Sequence, residues 1–178
     1  MFPSMRRSKQ LLPTDVCTAI LNEGVYGILG TGGTDGYPYA VPLSYAFNAD
    51  ADADGGAPAG RIYLHCATAG HKLEALQANP HVSFTVVGRS EVAPEKLVNQ
   101  FRSVIAFGTA RQPRSDEEKL EALVALGRKY CPGLDEFVAE EIDKTLGRTG
   151  VIVIDLEAVT GKESLDLAKA RAHGETIA

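Results

Sequence analysis

The sequence predicts a mainly β fold, an antiparallel barrel with helices packed outside it. About six segments have the composition of strands, and they do not alternate with helices in a strict β-α-β pattern. One strand segment contains both Pro38 and Pro42. Because proline cannot donate to a ladder, that strand is predicted to lie at an edge or to carry a bulge.

The predicted strands are short, apolar and rich in β-branched or aromatic residues: 25–31, 37–47, 61–67, 81–87, 101–110 and 151–159. A glycine-rich turn, 30–38, joins the first two, and a long hairpin loop precedes the third. The order of these segments favours hairpin connections over crossovers.

Four helices are expected between and around the strands. The first covers 14–24, with Thr14 or Asp15 as its cap and Gly24 at its end. A short helix covers 73–79. A third begins at Ser115, which forms a capping-box spacing with Glu118. The apolar residues expected on the inner faces of the third and fourth helices are Leu120, Leu123, Val124, Gly127, Leu134, Phe137, Val138, Ile142 and Leu146.

Length and composition exclude several classes of protein. The 178 residues fit one domain, 1–178, with a flexible N-terminal arm of about 1–12 and a C-terminal tail of about 163–178. A net charge of −5 does not suit a nucleic-acid surface, and no apolar run is long enough to span a membrane. The three cysteines form no C-x-x-C pair, which is typical of reduced thiols in a cytoplasmic protein.

Two candidate metal sites are not expected to bind metal. Asp50, Asp52 and Asp54 have the opening spacing of a calcium loop, but its twelfth position is Arg61 instead of a glutamate. His65 and Cys66 are neighbours on a strand and therefore point to opposite faces. The sequence accordingly predicts a solvated loop and no metal centre.

A stronger signal lies at the start of the short helix. The helix is expected to begin near Gly70 or His71, where free N–H groups and the helix dipole favour an anion. Lys72 stands in this first turn, and an anion bound there would offset its unfavourable position. On the preceding strand, His65 has the opposite parity to the core residues Ile62 and Leu64, so it is predicted to face outward.

The segments "YPYAVPLSYAF", "IYLHCATAGHKLEAL", "FRSVIAFGTA" and "TGKES" resemble the nitroimidazole-resistance (Nim) proteins. These belong to the flavin-binding split-barrel group that includes pyridoxamine 5′-phosphate oxidase. The resemblance implies a six-stranded antiparallel split β-barrel with outer helices. It further implies a homodimer with FMN in a groove shared by both subunits.

The resemblance also implies which residues contact the cofactor: Pro42, Leu43, Ser44, Tyr45, His65, Ala67, His71, Lys72, Arg102 and Ser103. Lys72 would hold the phosphate, His65 would lie near the isoalloxazine, and Arg102 and Ser103 would reach the cofactor from the partner chain. Phe101 stands where the family commonly has tyrosine, and His71 where a small residue can stand.

The function implied is an FMN-dependent oxidoreductase that uses small-molecule electron donors and acceptors, including nitroaromatic compounds such as 5-nitroimidazoles. The flavin would carry the redox chemistry, and His65 would be the catalytic proton donor. Two alternatives stay open at this point. One is a non-catalytic protein that binds flavin or heme for storage or sensing, and the other is an interaction domain with an empty groove.

Overall fold

The computed structural model describes residues 2, 5–49 and 60–174. Within these ranges the chain forms one seven-stranded sheet: β1 Tyr26–Gly32, β2 Pro38–Ser44, β3 Ala46–Ala49, β4 Gly60–Cys66, β5 His81–Ala93, β6 Val98–Arg111 and β7 Gly150–Glu163. It also forms five helices: α1 Thr14–Glu23, α2 His71–Ala78, α3 Asp116–Tyr130, α4 Asp135–Thr145 and α5 Leu165–Ala172. No helix in the described ranges has both the length and the apolar character needed to cross a membrane.

The antiparallel, mainly β prediction is confirmed, but the strand number is seven instead of six. The sheet order is β2-β1-β5-β6-β7-β4-β3, and every pair is antiparallel. The extra strand arises because the single predicted segment 37–47 divides at Tyr45 into β2 and β3. These two strands form opposite edges of the sheet, so the edge position predicted from Pro38 and Pro42 is confirmed.

Tyr45, the one residue between the two edge strands, fixes this junction. Its side chain is fully buried, and its hydroxyl donates to the carbonyl oxygen of Leu21 at 2.7 Å. Its backbone N–H donates to the Tyr130 hydroxyl at 2.9 Å. Because one residue connects the two edges, the sheet has to curl strongly. No hydrogen-bonded ladder joins β2 to β3 or β4 among the described residues, so the curled sheet is not closed.

The curl creates two apolar cores. The interior core lies inside the curled sheet and includes Leu29, Phe84, Ile62, Leu64 and Ile152. The outer core lies between α3, α4 and the outer side of β4 and β7, and its members are Ala46, Tyr63, Ala122, Leu123, Leu126, Ile142, Val151 and Val153. β4 is therefore covered on both faces over most of its length.

The N-terminal cap differs from the prediction in α1 and agrees with it in α3. The cap position of α1 is Pro13, so Thr14 and Asp15 lie inside the first turn, and Gly24 ends the helix as predicted. At α3 the Ser115 hydroxyl accepts the N–H of Glu118 at 3.3 Å, as predicted. The Glu118 carboxylate does not complete the capping box, because it binds Arg111.

Three of the apolar residues expected on the inner helix faces are exposed instead: Leu120, Leu134 and Phe137. Leu120 lies outside the contact stripe of α3, whose buried side chains are Ala122, Leu123 and Leu126. Leu134 and Phe137 lie at the start of α4, before the part of that helix that reaches the outer core through Ile142.

The C-terminal segment is helical where a tail was expected. Leu167, Ala168 and Ala170 of α5 are buried. The Glu163 carboxylate before it is fully buried between Arg102 at 3.1 Å and Arg171 at 2.7 Å. The N-terminal segment is attached at the same place, since the side-chain amide of Gln10 donates to the carbonyl oxygen of Glu163 at 2.9 Å.

Candidate functional site

The candidate site lies where the edge strand β2 and the neighbouring end of β4 separate, an opening called here the split. The β3–β4 ladder ends at the pair Ala46 and Tyr63, and beyond it β2 turns away to pair with β1. β2 and β4 remain in contact there. Continuing the register past Tyr45 sets Ser44 opposite His65. Ser44 and His65 therefore flank the split from its two sides.

His65 occupies the rim of the split on β4. The predicted parity is confirmed, because Ile62 and Leu64 are fully buried in the interior core while His65 is exposed. Tyr63 shares the outward face but is covered by α3, where its hydroxyl donates to the Glu121 carboxylate at 2.9 Å. His65 is the next outward residue, just beyond that cover, so its imidazole can meet a ligand.

Cys66 points away from His65, as the strand geometry predicts. Its side chain packs against the interior core. Within the described ranges, no group of three or more His, Cys, Asp or Glu side chains is placed to hold a metal ion. The acidic loop that has the opening spacing of a calcium site, with Asp50, Asp52 and Asp54, lies outside the described residues.

The start of α2 forms the next part of the rim. The helix begins at His71 after Gly70, whose φ of 130° favours glycine and whose absent Cβ leaves open space. The first N–H groups of a helix point out of its end, so they are directed toward this opening. Lys72 is half-buried beside them.

Lys72 also lies close to the end of β4. Burial raises the pKa of the Cys66 thiol, and the nearby Lys72 ammonium acts in the opposite direction by favouring the thiolate. Lys72 is thus within electrostatic reach of the residue that follows His65. The predicted phosphate ligand and the predicted catalytic histidine adjoin the same strand end.

Tyr39, which the sequence argument did not single out, connects α2 to β2. Its ring meets the His71 ring edge-on, with centroids 4.8 Å apart and planes at 87°. The alternation along β2 places Tyr39, Val41 and Leu43 on one face, and that pattern was the available signal. His71 therefore has a neighbour on the edge strand that flanks the split.

Tyr45 is a predicted site residue whose side chain lies in the core, and Leu43 packs against the same interior core. The Tyr45 hydroxyl is bonded to Leu21, and the Lys129 ammonium lies 3.7 Å from its ring centroid on the other side. The outward alternation of β2 stops at Ser44, because both Tyr45 and Ala46 are buried at the junction. Only the backbone of Tyr45 remains near the split.

Arg102 and Ser103 lie on β6, and the register aligns Ser103 with Ser44 at the split. Ser44 pairs with Tyr26, the β1–β5 register continues from Tyr26 to Val87, and Val87 pairs with Ser103. At ~4.8 Å per strand, Ser103 is therefore about 14 Å from Ser44 across the sheet. The Arg102 guanidinium is engaged by the buried Glu163 carboxylate.

Ser103 belongs to a broad surface, called here the uncharged face, that none of the five described helices covers. It consists of the outward positions of four adjacent strands, which the register aligns: Pro38, Ala40, Pro42, Ser44, Tyr26, Ile28, Gly30, His81, Ser83, Thr85, Val87, Ser103, Ile105, Phe107 and Thr109. None of these is Asp, Glu, Lys or Arg. Tyr26 and Val87 are 64% and 55% exposed, which is unusual for large apolar side chains on a free surface.

Comparison with known families identifies the class of protein. The sequence profile described as pyridoxamine 5′-phosphate oxidase matches residues 13–163. That match covers most of the chain, so the protein belongs to this family. A comparison with curated protein sequences found no match.

Three solved structures illustrate the similarity of fold. A Bacteroides thetaiotaomicron protein provisionally assigned to 5-nitroimidazole antibiotic resistance superposes with a TM-score of 0.66 at 22% identity, over 86% of each chain. A Mesorhizobium loti FAD-binding protein gives 0.58 at 25% identity, over 87% of this chain and 97% of that one. A Mycobacterium smegmatis FAD and heme binding protein gives 0.67 at 20% identity, over 92% and 80%.

Proposed function

We propose that this protein is an FMN-binding oxidoreductase that reduces small nitroaromatic compounds, 5-nitroimidazoles among them. The observation that carries the proposal is the grouping of the predicted site residues around the split. Ser44 and His65 flank it, and His71 and Lys72 of α2 adjoin it through Tyr39 and Cys66. This grouping brings an anion-binding helix start and an imidazole to one opening.

The residues present suit a flavin mononucleotide. The open space at Gly70, the N–H groups at the start of α2 and the Lys72 ammonium would hold the phosphate. Ser44 and His65 would contact the ring system at the other end. The bound flavin would supply the hydride and electron transfer, and the chain would bind, orient and protonate.

The structural neighbours support a flavin but differ in the kind. Two of them are described as FAD-binding, one of these with heme as well. We favour FMN because the α2 start offers one phosphate site at the rim. Mass spectrometry of the ligand that co-purifies tests this directly, with FMN as the expected mass. If the purified protein carries no flavin and binds neither FMN nor FAD in a titration, the proposal fails.

The proposed flavin site is shared by two copies of the chain. Arg102 and Ser103, which the family resemblance assigns to the cofactor bound by the other chain, would complete the site of the second copy. The uncharged face, which contains Ser103, Pro42 and Ser44, would form the contact. A two-fold dimer makes each such contact twice.

His65 would transfer a proton to the substrate. His65→Ala should retain flavin affinity, because the phosphate contacts are untouched, and should lower turnover by roughly 10² or more. His65→Gln, which keeps a hydrogen-bonding group but cannot donate a proton in the same way, serves as the matched control. Activity per bound flavin that stays at the wild-type value in both variants would remove His65 from catalysis.

A second candidate function is non-catalytic binding of flavin or heme. It is favoured by the described binding of FAD and heme in one structural neighbour, and by the exposed His65, since imidazole is a common axial heme ligand. A nicotinamide-dependent nitro-reduction assay separates the two. Flavin binding without turnover, or a heme absorption band that His65→Ala abolishes, would favour this second function.

A further inference from the structure

The side chain of Glu163 joins two arginines and lies where both ends of the chain meet. Its carboxylate is fully buried and accepts from the Nε atoms of Arg102 at 3.1 Å and of Arg171 at 2.7 Å. The side-chain amide of Gln10 donates to the Glu163 carbonyl oxygen at 2.9 Å, and Arg171 donates to that of Leu11 at 3.1 Å. Each carboxylate oxygen therefore has one cationic partner, which offsets the cost of burying the charge.

The bond to Glu163 engages only one of the three nitrogens of the Arg102 guanidinium. The two terminal nitrogens, Nη1 and Nη2, have no acceptor among the described residues, and the Arg102 side chain is 33% exposed. The N–H groups of these two nitrogens match a pair of oxygen acceptors such as those of a phosphate or a carboxylate. The guanidinium is thus anchored through Nε and open to a ligand at its other end.

The neighbours of Arg102 on the two adjacent strands carry opposite charges. In the register, Arg89 of β5 stands opposite Arg102 on one side, and Glu163 of β7 stands opposite it on the other. Arg89 has its own partners, since it donates to the Glu91 carboxylate at 2.6 Å and to the Gln100 side chain at 3.4 Å. Like charges directly opposite each other repel, and unlike charges attract. The Arg102 guanidinium is therefore drawn toward β7, and Glu163 is the group that holds it there.

We propose that Glu163 and Arg171 are positioning residues for the cofactor, which hold the Arg102 guanidinium so that its terminal nitrogens bind oxygens of the flavin. The inference rests on the proposed function, in which Arg102 completes a flavin site. It adds that α5 and the N-terminal segment, which supply no predicted site residue, act on the cofactor through one buried carboxylate. A guanidinium that is already held in place loses less conformational freedom on binding, so the flavin is bound more tightly.

A double-mutant cycle on flavin affinity tests whether Glu163 acts through Arg102. Fluorescence titration of the apoprotein should show the flavin dissociation constant raised roughly tenfold or more by Arg102→Met, and roughly fivefold by Glu163→Gln. When Arg102→Met is already present, adding Glu163→Gln should change the constant by less than about twofold, because the side chain that Glu163 holds is gone. A Glu163 that serves the fold alone would weaken flavin binding by the same factor in both backgrounds, and that result would overturn the inference.

A second cycle with Arg171 decides the question if Glu163→Gln does not fold. Arg171→Met changes a side chain that is 35% exposed and leaves the Arg102–Glu163 bond in place. It should raise the flavin dissociation constant roughly threefold in the wild-type background and leave it unchanged beside Arg102→Met. Asp135→Asn is the matched control, because it removes the carboxylate of an exposed ion pair with Arg128 and should bind flavin as the wild type does. Circular dichroism of every variant checks the fold.

The outcomes separate this inference from the proposed function. If Arg102→Met binds flavin as tightly as the wild type, or if Arg171→Met weakens binding equally in both backgrounds, the positioning role is wrong. Flavin binding by the wild type would then still support the proposed function. A wild-type protein that binds neither FMN nor FAD would remove the proposed function and the positioning role together.

Discussion

At the scale of single residues, Lys129 is the side chain least accounted for by the proposed chemistry. Its ammonium lies over the Tyr45 ring at 3.7 Å, and it is a buried donor without a hydrogen-bond acceptor among the described residues. Burial lowers the pKa of this amine to about 8. The attraction to the ring offsets part of the cost of desolvating the charge.

The lowered pKa of Lys129 makes the free energy of unfolding depend on pH. Its pKa is lower in the folded chain than the ordinary value of 10.5, so the unfolded chain binds more protons between about pH 8 and 10.5. Stability from this group therefore rises as the pH rises through that window. Lys129→Met should be more stable than wild type at about pH 7 by about 1 kcal/mol, discounted for partial exposure, with a smaller advantage at about pH 10.

Guanidinium unfolding at the two pH values measures this difference. Comparing variant with wild type removes the opposite contribution of Cys17, whose thiol pKa is raised to about 11 by burial and by Asp15. Lys169→Met, a change at an exposed lysine of α5, should follow the wild-type curve. An advantage of Lys129→Met that grows with pH would contradict the assignment.

Lys72 gives the residue-scale prediction for the cofactor. Lys72→Glu should weaken FMN binding at least tenfold, because a lost charge-assisted hydrogen bond is worth ~1.5–3 kcal/mol and the new carboxylate repels the phosphate. Lys169→Glu makes the same charge change at a site remote from α2. Fluorescence titration of apoprotein measures both, and equal affinities would exclude Lys72 from the phosphate site.

At the scale of elements, α3 and α4 pack closely because Gly127 has no side chain. A Cβ at Gly127 would overlap a methyl carbon of Val138, so one of the two helices would have to move. The sequence pattern correctly placed both residues on facing surfaces. The glycine is therefore a contact residue of the outer core, where α3 and α4 cover β4 beside His65.

Gly127→Ala should destabilise the fold despite the better helix propensity of alanine. The overlap with Val138 should cost ~1–3 kcal/mol, against ~1 kcal/mol gained in propensity, for a net loss of about 1 kcal/mol. Adding Val138→Ala should remove the overlap, so the double variant should lose less than the two single losses combined. Gly147→Ala, where a Cβ meets nothing within 4 Å, is the control for urea unfolding.

Most elements follow from local pattern, and the departures have local causes. Strand patterns predicted β1 and β4 to within one residue at each end, whereas β5, β6 and β7 extend further than the apolar segments suggested. The break at Tyr45 was not predictable from composition, because it depends on Leu21 and Tyr130, which are distant in sequence. α5 was missed because its polar sequence is held by the buried Glu163 between two arginines.

Part of the candidate site was also predictable from local pattern. His65 follows from strand parity and Lys72 from the helix start, and both depend on short stretches of sequence. Tyr39 and the inward position of Tyr45 depend on how β2 approaches α2 and α1, which only the tertiary structure gives. Pairing of the edges, unlike strand formation, is a long-range property.

At the scale of the whole molecule, the uncharged face predicts a dimer. Light scattering should give about twice the chain mass of 18.9 kDa, with one flavin bound per chain. Ile28→Asp, at the centre of that face, should dissociate the dimer and weaken flavin binding together, because it would bury an unpaired carboxylate. A flavin-loaded monomer, or a dimer indifferent to Ile28→Asp, would contradict a shared site on this face.

The junction at Tyr45 has a consequence for the time course of folding. β4 can join the sheet only by pairing with β7, whose residues are roughly 90 positions further along the chain, and pairings of such long range form slowly. β2, by contrast, joins β1 through a short hairpin. The two borders of the split therefore assemble on different timescales, and the cofactor cleft should be among the last features to form. Stopped-flow refolding with flavin present should accordingly show fluorescence quenching of the cofactor only in the slowest phase.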